Sequence, residues 1–81
     1  MKTLNITYDT TELDENGKRI TGETCYDIRM EDDTAELLLR TGKCDPISQV
    51  HIELLLQSVE MLQGRRFVSD SIKHFELVKE G

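Results

Sequence analysis

The stretch "TLNITYDTTELDENGKRITGETCYDIRM", residues 3–30, decides what kind of fold this chain can adopt. Its first part alternates Leu4, Ile6 and Tyr8 with polar residues, and its last part alternates Tyr26, Ile28 and Met30 in the same way. A period of two marks a strand with one buried face. Between the rows stands "DENGKR", where Asn16-Gly17 is a strong hairpin signal because both residues tolerate the positive φ of a two-residue turn.

Register then becomes a constraint. A two-residue turn at Asn16-Gly17 sets Ile6 opposite Asp27, which puts the two apolar rows on opposite faces. One inserted residue restores a common face, pairing Leu4 with Met30, Ile6 with Ile28 and Tyr8 with Tyr26. Gly22 is the natural position for that bulge. Leu13 and Ile20 then pair on the other face, near the tip. The alternative is a long loop over residues 10–24 that carries a separate short hairpin.

Downstream, the period changes. In "EDDTAELLLRTGK", Asp33 followed by Glu36 forms a capping-box pattern and Gly42 is suited to end the helix, which predicts a short helix over 33–41. It buries Ala35, Leu38 and one of Leu37 and Leu39. "CDPIS" supplies Asp45 as N-cap and Pro46 at the first helical position, and the second helix runs from 46 to 63, stopped by Gly64. On a helical wheel it carries two apolar stripes, Ile47, Val50, Leu54 and Met61 on one and Ile52, Leu55, Leu56, Val59 and Leu62 on the other. Gln49, Glu53, Gln57 and Glu60 form its one polar strip. In "RRFVSDSIKHFELVKEG", Phe75 and Leu77 alternate as in a strand, while Val68, Ile72 and Phe75 fall at helical spacing. The reading taken is a strand over 72–79. The expected fold is a single α+β domain over 1–81, with a three-stranded antiparallel sheet packed on two helices in the order β-β-α-α-β.

Eighty-one residues build one core at most. The formal charge of −6 opposes nucleic-acid phosphate, so no direct nucleic-acid binding is expected. The surplus lies in the first half, where residues 1–36 hold ten acids against four bases, whereas residues 37–81 hold six of each. The chain opens without an apolar run of signal-peptide length and has no segment near the roughly 20 apolar residues of a membrane span. A cytoplasmic protein with two reduced cysteines is the expectation.

The chemistry-bearing residues are sparse. Cys25, Cys44, His51 and His74 lack the spacing of a metal site and the motif of a nucleophile, so no metal, cofactor or catalytic residue is assigned. The acids at 31–33 suit a helix start, and Arg65 and Arg66 suit the negative end of the long helix. The five glycines are dispersed and make no phosphate loop.

What remains is surface. The short helix and the sheet are too small to cover both stripes of the long one, which points to a protein-interaction module docking through Ile52, Leu55, Leu56, Val59 and Leu62. The acids Asp9, Glu12, Asp14, Glu15, Glu23 and Asp27 would steer a basic partner protein. A sharper version is an inhibitor that mimics nucleic acid, which requires those acids to crowd one surface. The competing readings are an obligate homodimer using the same helix face, internal cover of that face by the C-terminal segment, and, furthest off, an enzyme or metal protein built on the cysteines and histidines.

Overall fold

A computed structural model describes residues 1–80, so that Gly81, the end of the expected domain, lies outside the described residues. The chain runs β1 (Lys2–Leu13), β2 (Arg19–Met30), α1 (Asp32–Thr41), α2 (Pro46–Leu62), β3 (Arg66–Phe67) and β4 (His74–Glu80). β1 is the central strand of an antiparallel sheet: β2 pairs along one edge over its whole length, and β4 and β3 share the other edge end to end. The order β-β-α-α-β therefore holds. The sheet has four strands rather than three, because the two-residue β3 pairs Thr10 and Thr11 just before the chain reaches β4.

The hairpin solves its register differently from the two-residue turn. Asp14 N–H donates to the Lys18 carbonyl at 2.8 Å and Gly17 N–H to the Asp14 carbonyl at 3.0 Å, leaving Glu15, Asn16 and Gly17 as a three-residue loop. Gly17 takes the left-handed conformation with φ 76°, as the last position of such loops requires. The Asp14 carboxylate also accepts from the Asn16 and Lys18 amides. The longer loop shifts the pairing by one residue, so the apolar rows share a face with no bulge. Leu4 lies opposite Ile28, Ile6 opposite Tyr26 and Tyr8 opposite Thr24 in an unbroken ladder.

Several expectations fall with that ladder. Gly22 lies in regular strand opposite Thr10, and Leu13 pairs with Arg19, so Leu13 and Ile20 stand on opposite faces. Residues 10–24 form no long loop. The irregularity sits instead in β4, where Thr3 pairs with Lys79 but Leu4 with Leu77, and Val78 is the extra residue.

Both helices pack on the face presented by the even-numbered residues of the hairpin. Leu4, Ile6, Tyr8, Ile28, Met30, Ala35, Leu38, Ile52, Leu56 and Phe67 form one continuous core, with Cys44, Ile72 and Phe75 packed against its rim. α1 starts at Asp32 and its N-cap, Glu31, makes no side-chain cap, so the Asp33–Glu36 capping box does not form. Gly42 ends it in the left-handed conformation, φ 77°, donating to the Leu38 carbonyl. α2 has the expected start: the Asp45 carboxylate accepts from the Ser48 amide at 3.0 Å, and that bond holds its pKa below the ordinary aspartate value. It ends in a Schellman motif, with Gly64 donating to Met61 and Arg65 to Glu60.

Between β3 and β4 the chain stays fastened to β1. Val68 N–H donates to the Asp9 carbonyl, Lys73 N–H to the Thr7 carbonyl, and the Ser71 hydroxyl accepts from the Asp9 amide. The final segment is thus spent on the sheet edge and leaves the outside of α2 uncovered. Among the described residues no helix is long and apolar enough to cross a membrane.

Candidate functional site

α2 packs with its less apolar side inward. Ile52, Leu56 and Glu60 are buried, and Ser48, Gln49, Glu53 and Val59 are half-buried around them. Turned outward are Ile47, Val50, Leu54, Leu55, Met61 and Leu62, with Ile47, Met61 and Leu62 more than 70 % exposed. His51 and Ser58 lie among them, and no charged side chain interrupts the strip. An ordinary surface helix shows the reverse arrangement.

The inversion has a local cause. Glu60, which the wheel assigned to a solvated polar strip, is only 2 % exposed. Tyr8 Oη donates to its carboxylate at 2.6 Å and Arg65 Nε at 2.7 Å. A buried carboxylate is tolerable only when paired and hydrogen-bonded, and the chain supplies both partners: Tyr8 from the central strand, Arg65 from the helix exit. Burial, reinforced by the Glu60 carboxylate, pushes the Tyr8 hydroxyl well above its ordinary pKa, and the same carboxylate raises that of Arg65. The Tyr8 ring meets Phe67 edge-on, with centroids 5.5 Å apart. With Glu60 fixed inward, Gln49 and Glu53 turn half-buried with it, Gln57 stays exposed, and the apolar arc is left outside.

The expected helix stripe is therefore divided. Ile52 and Leu56 belong to the core, Val59 is half-buried, and only Leu55 and Leu62 are exposed. The exposed surface comes mostly from the other stripe, Ile47, Val50, Leu54 and Met61. A wheel separates two stripes but cannot tell which one meets the sheet. The one sequence signal for the choice was Arg65, placed where a buried acid one turn earlier could use it.

The six acids divide as well. Asp9, Glu23 and Asp27 lie on the open face of the sheet, Glu12 alternates to the helix side, and Asp14 and Glu15 belong to the turn. Lys73 Nζ bridges Asp9 at 2.6 Å and Glu23 at 3.1 Å, which raises its own pKa. Asp27 accepts from Asn5 Nδ2 at 2.8 Å. They do not crowd one surface.

Cys25 and His74 flank Thr7 in one row of the open face. Two strand spacings, about 10 Å, separate their backbones, more than a thiol–imidazole pair spans. Cys44 rests against the core rim, where burial pushes its thiol pKa up, and His51 sits on the outer face of α2. Among the described residues no three metal-ligating side chains come together. A shallow groove of mixed character, lined by Ile28, Met30, Ile52 and Leu55 together with Arg29, Glu31, Thr34, Ser48 and His51, runs between α2 and the end of β2. The chain matches no protein-family model, no curated protein and no solved structure.

Proposed function

We propose that this chain is a non-catalytic protein-interaction module whose docking surface is the outer face of α2. The observation that carries the reading is the inverted helix. Ile47, Val50, Leu54, Leu55, Met61 and Leu62 face solvent while Glu60 is held inside. At their fractional exposures these six residues present on the order of 700 Å², above the 300–600 Å² of the largest apolar patch on a typical monomer. Keeping that much apolar surface wet gives up the stabilisation its burial would bring, of order 25 cal/mol per Å². A partner that covers it recovers this free energy.

The version in which the acids occupy a basic groove has less behind it. Asp9 and Glu23 share Lys73, and Glu12, Asp14 and Glu15 point elsewhere. Acid steering would be a minor aid to a contact whose free energy comes from α2.

The test is a photo-crosslinking side chain placed at Leu54 in the cells that make the protein, with Thr21 on the exposed hairpin as control. The expected outcome is a discrete covalent protein adduct at position 54 and none at 21. Absence of any adduct at 54, including one with the chain itself, would refute the reading.

A further inference from the structure

Resting on that reading, we infer that the occupant of the α2 face is a second copy of the same chain, its α2 running antiparallel to the first about a two-fold axis at Leu54. Three observations carry this. The first is spacing: the outward seam is Ile47, Val50, Leu54, Ser58 and Met61. Its intervals of three, four, four and three residues read the same in both directions. An antiparallel mate centred on Leu54 therefore sets Ile47 against Met61 of the other copy, Val50 against Ser58, and Leu54 against itself. A closed two-fold contact requires such self-complementarity, and the small Ser58 opposite Val50 lets helices approach to the usual 8–10 Å.

The second is area. About 700 Å² of exposed apolar surface per chain is close to the ~800 Å² that each partner contributes to a standard-size interface. One copy offers the other what a stable dimer needs.

The third is charge. No carboxylate, Lys or Arg stands on the seam and His51 is the one ionisable side chain beside it, so a strongly charged foreign protein finds little there to pair with, whereas an identical apolar strip is a matching surface. Each copy carries −6, but Asp9, Glu23 and Asp27 lie on the sheet face turned away from the helices. Helix-to-helix pairing gives a sheet–helix–helix–sheet sandwich with those acids on its two outer faces. They are then separated by several Debye lengths, each about 8 Å at physiological salt.

The experiment combines mass with directed cross-links. Size-exclusion chromatography with light scattering, over about 1 to 100 μM protein, is expected to give twice the 9.3 kDa of the chain at the upper end. Leu54→Lys, at a position already solvent-exposed in the single chain, should keep the helical spectrum and weaken association roughly a hundredfold or more, because it buries two unpaired ammonium groups. In a Cys25→Ser background, Leu54→Cys should oxidise to a self-linked dimer. Ile47→Cys mixed with Met61→Cys should link to each other and not to themselves. A monomer across the range overturns the inference; an adduct of another mass at position 54 would then keep the interaction reading alive. Ile47→Cys linking to itself overturns the antiparallel register. A dimer indifferent to Leu54→Lys overturns the inference, since some other surface would be holding it.

Discussion

Tyr8→Phe is the substitution that bears most directly on why α2 faces the way it does. It deletes one oxygen, leaves the ring against Phe67, and removes one of the two donors to the buried Glu60 carboxylate. A hydrogen bond to a charged group contributes about 1.5–3 kcal/mol, and here the orphaned partner has no solvent to turn to. For a domain of this size each kcal/mol moves Tm by about 4–8 °C, so the expected loss is roughly 6–24 °C. pH gives a second signature. The native hydroxyl stays protonated well above the ordinary tyrosine value of about 10, whereas the unfolded one ionises there, so the native state binds the extra proton and stability falls as pH rises beyond 10. The stabilisation is fully present below pH 10, and the decline has a limiting slope of about 1.4 kcal/mol per pH unit. Tyr8→Phe should lose this part of the alkaline decline. Urea unfolding followed by circular dichroism at pH 7, 10 and 11 measures both effects. A change below about 0.5 kcal/mol at pH 7, with the alkaline slope intact, would mean that the Tyr8–Glu60 bond does not orient the helix.

Three further outcomes follow from the geometry. Gly17→Ala and Gly64→Ala each put a side chain at φ near 75° with open space around it, so each should cost about 1 kcal/mol through backbone strain alone, while Gly22→Ala, in regular strand, should be neutral or stabilising by up to about 1 kcal/mol; equilibrium unfolding of the three distinguishes this ladder from a bulged one. Leu56→Ala, at a fully buried site, should cost about 2–5 kcal/mol at any protein concentration, whereas Leu54→Ala should destabilise only where Tm itself depends on concentration. Lys73→Gln removes the cation between Asp9 and Glu23 and should lower Tm at low salt, with the difference fading near 1 M salt, where the screening length is about 3 Å; a salt-independent difference would contradict an ionic role.

The strands were legible because period two needs no knowledge of what lies across the sheet, and Asp45-Pro46 marked the start of α2 because a cap is a local event. The hairpin does hold the one extra residue that the parity of its apolar rows requires. That residue lies in the turn and not at Gly22, since a loop of Glu15, Asn16 and Gly17 restores the register more simply than a bulge. Arg66 and Phe67 pair with Thr10 and Thr11 across more than fifty residues of chain, and two residues carry no periodicity to read. The orientation of α2 was hidden for a related reason. Glu60 is polar in sequence and buried in space only because Tyr8, from the opposite end of the chain, supplies a donor, and composition along the helix cannot reveal it.

The sheet's central strand is the first made, and the neighbour that completes it is the last. β1 can zip with β2 within microseconds once the turn forms, but its other edge has to wait for residues 66–80, and closing so long a loop is slow. While the chain is being synthesised, β1 is therefore half-paired, with an open edge beside Leu4 and Ile6 that any extended segment could extend. Pulse-labelled hydrogen exchange during refolding should find the β1–β2 amides protected before those of β4. Simultaneous protection of all three strands would instead mean that the two ends of the chain meet in the first cooperative step.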